Sequence, residues 1–364
     1  MAALAPGSII GILGGGQLGR MLALAAARLG LKSHIFCPEG DNPGSHVCDC
    51  ITLAEYDDAA ALARFAAGIH VATYEFENVP VACAEWIAKK IALRPGIDAL
   101  RISQDRLSEK NFLAGLGIAT APFAPVDDAD ALNQAAARTG LPAILKTRRF
   151  GYDGRGQALL RTQADIAGAW QKIGALPAIL EGFVPFEREI SVIAARGLDG
   201  VIACYDPPEN QHTDGILSVS RAPARISGTT ADAAREMTRR ILTALDYVGV
   251  IGVEFFVLKD GALMVNEFAP RVHNSGHWTL DACAISQFEQ HIRAICGWPL
   301  GDPARHSDAE MRNLIGADAG QWPALAADPG LCLHLYGKDA PRPGRKMGHV
   351  TRLFSRSGNS DAAS

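Results

Sequence analysis

After a short lead the chain enters an apolar run, residues 8–13 (SIIGIL), rich in β-branched side chains and closed by glycine. A run of that length with no polar alternation reads as a buried parallel strand. Gly14 to Gly16 break it. Residues 18–29 then carry apolar positions at helical spacing until Gly30, a helix stop. Residues 33–37 predict the next strand. This strand–helix–strand start predicts a doubly wound α/β sheet, and the alternation runs on to about Pro95 through strand-like stretches at 69–73 and 91–94.

Ser103 is the expected N-cap of a helix running to Leu113. Beyond Gly117 the pattern becomes a compact α/β unit, with helices at 129–139 and 163–172 and strands at 142–147, 157–160 and 178–183. Residues 189–195 and 200–204 predict an antiparallel pair, 230–245 a long helix and 252–268 a hairpin. The expected division is 1–98, an N-terminal α/β domain; 99–298, a second domain with a lid at about 117–184; and 299–364, a small β-rich portion whose tail, SRSGNSDAAS, has a disordered composition.

Apolar residues make up 48% of 364, enough for two or three cores. The formal charge is −4 without a clustered basic excess, which argues against nucleic acid as a partner. The eight cysteines are scattered, with no CxxC pair and no zinc spacing, so they read as reduced thiols. No basic region leads into an apolar run at the start. Every apolar stretch meets charge or glycine before membrane-spanning length. The expectation is a soluble cytoplasmic protein with no membrane partner.

The segment GVEFFVLKDGALMVNEFAP carries the sharpest chemistry. Asp260-Gly261 predicts a two-residue hairpin turn. Counting outward equally from it sets Glu254 opposite Glu267 on one face, with β-carbons ~4.5–5.5 Å apart, and leaves Asn266 on the other face unless the strand end twists. Two carboxylates so placed among Phe255, Phe256, Val265 and Phe268 need a proton, a basic neighbour or a bridging cation. Mg2+ suits such a pair, because hard cations take carboxylate and phosphate oxygens. A structural salt-bridged pair suits the hairpin alone equally well.

Lys146 stands on the otherwise apolar strand AILKT, ahead of RRFGYDGRGQ. Gly151, Gly154 and Gly156 punctuate that loop, whose amides can turn toward phosphate, with Lys146 as a point charge and Arg148, Arg149 and Arg155 around it. A solvated basic hairpin is the plainer alternative. Residues 181–184 end an apolar strand whose backbone can meet an adenine edge. Gly14, Gly16 and Gly19 spell GxGxxG, and Glu39 follows at the distance of a ribose-binding acid, the pattern of a nicotinamide-dependent dehydrogenase. Glu75 and Glu77, at a strand end in TYEFEN, reach a switch-point crevice or cap the next helix. His70, His306 and His334 are expected at the surface or internally bonded.

Taken together, GILGGGQLGRML, QDRLSEKNFL, GYDGRGQ, VNEFAPRVHNSGHWT and GRKMGHVT resemble the ATP-grasp ligases, and more narrowly the N5-carboxyaminoimidazole ribonucleotide synthetase family, from the opening strand to Val350. The resemblance implies an ATP-grasp fold behind a Rossmann-like pre-ATP-grasp domain. It implies a cytoplasmic homodimer that carboxylates 5-aminoimidazole ribonucleotide with ATP, Mg2+ and bicarbonate, through carboxyphosphate, in purine (IMP) biosynthesis. ATP ligands would be Arg106, Lys146, the loop Gly151, Tyr152, Asp153, Gly154, Arg155, Gly156 and Gln157, the strand end Glu181, Gly182, Phe183 and Val184, and Glu189, His212, Asn266 and Glu267. Glu254 and Glu267 would hold Mg2+. Tyr152, Asp153 and Arg155 would face the carboxylation centre; by their chemistry Arg155, a planar donor fork, suits bicarbonate and Asp153 suits the amine proton, while the resemblance leaves the base open. Gln17, Leu18, Glu75, Arg271, His273, Asn274 and Ser275 would line the ribonucleotide site, with Lys346, and Arg345 as a further candidate, on its phosphate. Val272 departs from the family, which usually has proline there. The rivals are a relative with another acid, such as formate-dependent glycinamide ribonucleotide transformylase; the dehydrogenase, which explains neither the carboxylate pair nor the second glycine loop; and a nucleotide sensor without catalysis.

Overall fold

The structure is a computed structural model that describes residues 2–151 and 156–357; Tyr152, Asp153, Gly154 and Arg155 of the expected site lie outside the described residues. Four parallel strands form the first sheet: β1 (Ile9–Leu13), β2 (Lys32–Cys37), β3 (Cys50–Leu53) and β4 (Val71–Tyr74), in the order β3-β2-β1-β4. The apolar opening run is buried as expected, and the helix Gln17–Arg28 returns over it, burying Leu18, Met21 and Leu22 in the same core. The expected strand at 91–94 is reduced to a single bridge from Leu93 to Ala72. It runs into Pro95, which has no N–H to continue a ladder.

The helix expected from Ser103 starts two residues later. Helix Ile97–Ser103 ends there, and Asp105 caps Arg106–Gly115 by accepting the amides of Leu107 and Ser108. The second sheet holds β5 (Phe123–Val126), β6 (Ala143–Thr147), β7 (Gln157–Leu160) and β8 (Ala178–Gly182), in the antiparallel order β5-β8-β6-β7. Helix Ala129–Thr139 covers it with a core of its own that includes Leu132, Leu145 and Leu180. The helix expected over 163–172 is split into Gln163–Ile166 and Ala169–Lys172 by Gly168, whose φ is 80; a left-handed residue cannot continue a helix.

The remaining strands build one antiparallel sheet: β9 (Arg188–Arg196), β10 (Ile202–Cys204), β11 (Glu209–Thr213), β12 (Ile216–Ala222), β13 (Gly249–Val257), β14 (Leu263–Ala269), β15 (Asp308–Ile315), β16 (Leu331–Leu335) and β17 (Lys346–Phe354). Its order is β14-β13-β9-β11-β12-β15-β17-β16, with β10 on β9. The C-terminal strands are thus continuous with the middle of the chain through β12 and β15. Helix Gly228–Ala244 buries Ala234, Ile241 and Leu242 against Ile190, Val192 and Phe255. No helix among the described residues is long and apolar enough to cross a membrane.

Candidate functional site

The hairpin of β13 and β14 reaches the expected pairing by an unexpected route. Leu258 and Ala262 bond across Lys259, Asp260 and Gly261, with Gly261 at φ 82, so the loop has three residues. The ladder next to it, Phe256 to Met264 and Phe255 to Val265, is therefore offset by one from an Asp260-Gly261 turn. A bulge then restores the register: beyond it Val253 pairs with Phe268, and Glu254 alone faces two residues, Asn266 and Glu267. The two departures cancel. Glu254 does oppose Glu267, and the bulge turns Asn266 toward the same cleft, a cavity of about 370 Å³ that all three line.

The two carboxylates are held differently. Burial would raise the Glu267 pKa, but Arg106, 2.6 Å away, outweighs it and holds the group at about 2. Burial, then the charge of Glu267, pushes Glu254 up to about 7. The Glu254 carboxylate lies 3.2 Å from His273 Nε2. Behind His273 runs a neutral chain: its Nδ1 is 2.8 Å from Ser275 Oγ, Ser275 Oγ is 2.6 Å from Ser191 Oγ, Asn210 Nδ2 donates to Ser191 at 3.1 Å, and Ser220 donates to Asn210 at 2.7 Å. Burial, then Arg271, lowers the His273 pKa to about 3. The Ser275 amide also points at Nδ1, so Nδ1 accepts and the single ring proton sits on Nε2, toward Glu254. Asn266 Oδ1 is buried with no partner among the described residues. Two facing carboxylates and an orphaned amide oxygen form an all-oxygen donor set, which fits a hard divalent cation.

Around this set the cavity gathers Arg106, Lys146, Gly151, Gln157, Glu189 and His212 on one side. Lys146 Nζ rests on Glu181 at 2.9 Å, and Arg106 also donates to the Gly151 carbonyl at 3.1 Å. Burial lowers the His212 pKa, but its 2.8 Å bond to Glu189 more than offsets this. Gly156 does not line the cavity; its φ is 68, and a β-carbon there would sit 2.6 Å from Thr147 Oγ1. The strand end Glu181, Gly182, Phe183 and Val184 is not a free edge, because β8 lies between β5 and β6. Pro122 and Pro142 carbonyls take the Gly182 and Phe183 amides.

On the other side lie Gln17, Leu18, Arg271, His273, Asn274 and Lys346. Arg271 is paired with Glu77, and Asn274 exchanges amide bonds with Asn313 at 3.0 and 2.7 Å. Ser275 is fully buried behind His273. Arg345 is paired with Asp41. Sequence reasoning passed over Lys338, whose Nζ donates to the Lys346 carbonyl at 2.7 Å; burial, then Arg345, lowers its pKa to about 8. It also passed over Glu109 and Lys110, although QDRLSEKNFL places both one turn beyond Arg106.

Glu75 does not line the cavity. It caps the first helix, not the one that follows it, with its carboxylate accepting the Gly16 and Gly19 amides, the latter at 2.5 Å. A β-carbon at Gly16 would meet Glu75 Oε1 at 2.7 Å. The GxGxxG turn is therefore filled by a carboxylate of the protein, where the dehydrogenase reading needs a pyrophosphate; the expectation that the turn faces the substrate phosphate through its backbone N–H groups is corrected too, because Glu75 already takes the Gly16 and Gly19 amides. His70 accepts the Ile9 amide at 3.0 Å, and His334 bonds both Asp281 oxygens at 3.0 Å. Asp281, His334 and His349 come within 4.8 Å of one another. The two rings stack at an interplanar angle of 10°, so their lone pairs do not converge on one ion.

Three family matches tile the chain: a ribonucleotide synthetase preATP-grasp domain over residues 8–104, an ATP-grasp domain over 111–288, and a phosphoribosylaminoimidazole carboxylase C-terminal domain over 309–362. The N5-carboxyaminoimidazole ribonucleotide synthase of Brucella melitensis is 56% identical over 355 residues, 97% of this chain and 98% of that one. Among solved structures, an ADP complex of N5-carboxyaminoimidazole ribonucleotide synthetase superposes with a TM-score of 0.94 at 41% identity, covering 97% and 94% of the two chains. An Aspergillus clavatus synthase, in complex with ADP and 5-aminoimidazole ribonucleotide, gives 0.90 at 30% identity over 96% and 94%.

Proposed function

We infer the working of this cavity from one fact: the chain belongs to the N5-carboxyaminoimidazole ribonucleotide synthase family of ATP-grasp enzymes. It is an ATP-dependent carbon–nitrogen ligase of purine biosynthesis, carboxylating 5-aminoimidazole ribonucleotide. A bicarbonate oxygen attacks the γ-phosphorus of ATP and ADP leaves. The resulting carboxyphosphate breaks to CO2 and phosphate. The substrate amine then takes the CO2 and loses a proton.

Glu254, Glu267 and Asn266 are the residues to hold Mg2+, which would offset charge on the nucleotide phosphates. Lys146 adds a point charge there, and His212 with Glu189 is suited to ribose hydroxyls. At the strand end, adenine would meet the backbone near Val184. Gln17, Leu18, Arg271, His273 and Asn274 would orient the ribonucleotide, with Lys346 and Lys338 on its phosphate. Tyr152, Asp153 and Arg155 would face the carboxylation centre, Arg155 as a donor fork for bicarbonate and Asp153 as carrier of the amine proton. The corresponding division is 1–98, 99–298 with a lid at 117–184, and 299–364, in a cytoplasmic homodimer.

The observation that carries this reading is the convergence of Glu254, Asn266 and Glu267 in one cavity with Lys146 on one side and Arg271 and Lys346 on the other. The test is ADP release with ATP, bicarbonate and aminoimidazole ribonucleotide each omitted in turn. Release only with all three is expected. Equal release with formate in place of bicarbonate would overturn the assignment.

A further inference from the structure

Helix Arg106–Gly115 carries Arg106, Glu109 and Lys110 at i, i+3 and i+4, on one face. Glu109 and Lys110 are 2% and 1% exposed. Arg106 and Lys110 grip the two residues of the β14 bulge, and Glu109 grips the residue that follows them. Arg106 bonds the Glu267 carboxylate at 2.6 Å, Lys110 Nζ donates to the Asn266 carbonyl at 2.7 Å, and the Phe268 amide donates to Glu109 Oε1 at 2.6 Å. A bulge interrupts the ladder, and buried peptide groups there need other partners. The helix supplies them from side chains. Neutral side chains would do this more cheaply, since an ammonium and a carboxylate are both costly to bury. Here the charges extend the site: Lys110 lies 3.7 Å from Glu181, which bonds Lys146 at 2.9 Å. One buried network thus ties the bulge to the lysine on the phosphate side.

The geometry points to Glu109 and Lys110 as positioning residues: they fix the bulge in the shape that aims Asn266 and Glu267, with Glu254 opposite, at the divalent ion of the nucleotide complex. This rests on the metal reading above. Neither residue lines the cavity that holds Asn266 and Lys146, although Glu109 lines the smaller one beside it with Glu254 and Glu267; both grip the backbone that carries the ligand groups. Their substitution should weaken the grip on the ion without weakening the nucleotide's own contacts.

Calorimetric titration of the full chain with ADP, in Mg2+ and in EDTA, separates these effects. In Lys110→Met the Mg2+-dependent gain in ADP affinity is expected to fall about tenfold, the scale for partners that orient metal ligands, while affinity in EDTA stays within about twofold. Glu109→Gln, whose Oε1 still accepts the Phe268 amide, keeps nearly all of the gain. The double variant Glu109→Gln/Lys110→Met, a neutral pair checked for folding by its melting curve, follows Lys110→Met. An unchanged Mg2+ gain in Lys110→Met, or a loss that merely parallels the loss in EDTA, overturns the proposal. Glu267→Gln is the reference arm. If it leaves the gain intact, the metal reading itself fails; if it removes the gain and Lys110→Met does not, only the positioning role fails.

Discussion

Glu254 and Glu267 face each other across one strand pair, yet their surroundings are opposites. Glu267 is gripped by a guanidinium and stays an anion to about pH 2. Glu254 meets a neutral imidazole at the end of a chain of hydroxyls and amides, and its pKa lies near 7. The difference shows how a buried site can hold two acids without a permanent double charge. One is fixed by a counter-ion. The other is left sensitive to whatever cation arrives, and is oriented by a hydrogen bond that adds no charge of its own.

Replacing the fixed anion should do the most damage. Glu267→Gln removes a full charge and strands Arg106, and kcat/KM for ADP formation is expected to fall on the order of a thousandfold. Glu254→Gln removes a charge that burial and Glu267 already disfavour, with no cation gripping it, and should cost about tenfold less. If Glu254→Gln proves the worse of the two, the contrast between the carboxylates is wrong. His273→Ala should come next, raising the Mg2+ concentration for half-maximal ADP binding by about 10- to 100-fold, because Glu254 loses the donor that orients it.

A third buried group sharpens the contrast away from the site. His291 is held neutral between Thr73 Oγ1 at 2.8 Å and the Val250 amide at 3.1 Å, and burial lowers its pKa to about 3. A base with a depressed folded pKa stabilises the fold above its unfolded pKa of about 6.5, and this contribution is lost as pH falls toward 3. Between pH 7 and pH 5, His291 should account for about 2 kcal/mol of lost stability in urea titrations, and His291→Gln should flatten that slope. An unchanged slope would mean that the imidazole is not held neutral. The smallest effect is expected from Ser275→Ala, which removes the hydroxyl that donates to His273 Nδ1 but leaves the Ser275 amide: about fivefold in the Mg2+ requirement.

What the sequence disclosed follows the same division between local and distant causes. The first strand, its crossover helix and the helix at 129–139 were legible because apolar periodicity and glycine stops act within a few residues. The Glu254–Glu267 pairing was legible too, though by compensation: Gly261 took a left-handed φ that lengthened the loop, and the bulge at Asn266 and Glu267 removed the offset. Nothing in a hydrophobic pattern marks a bulge whose peptide groups are satisfied by side chains about 156 positions earlier, as Lys110 and Asn266 are. Glu75 escaped for a like reason. The glycines spelled a phosphate loop, and only the fold shows that a carboxylate from the neighbouring strand fills it. His273 was expected beside the ribonucleotide on the strength of resemblance, but its contact with Glu254 depends on Ser191, Asn210 and Ser220, which no motif joined.

The central claim is that the bulged hairpin grips a divalent ion on the nucleotide. Crystals grown with ADP and Mn2+, measured for anomalous scattering from manganese, address it directly. The expected map has a strong peak between Glu254 and Glu267, beside Asn266. A peak on the nucleotide that touches neither carboxylate would contradict the account.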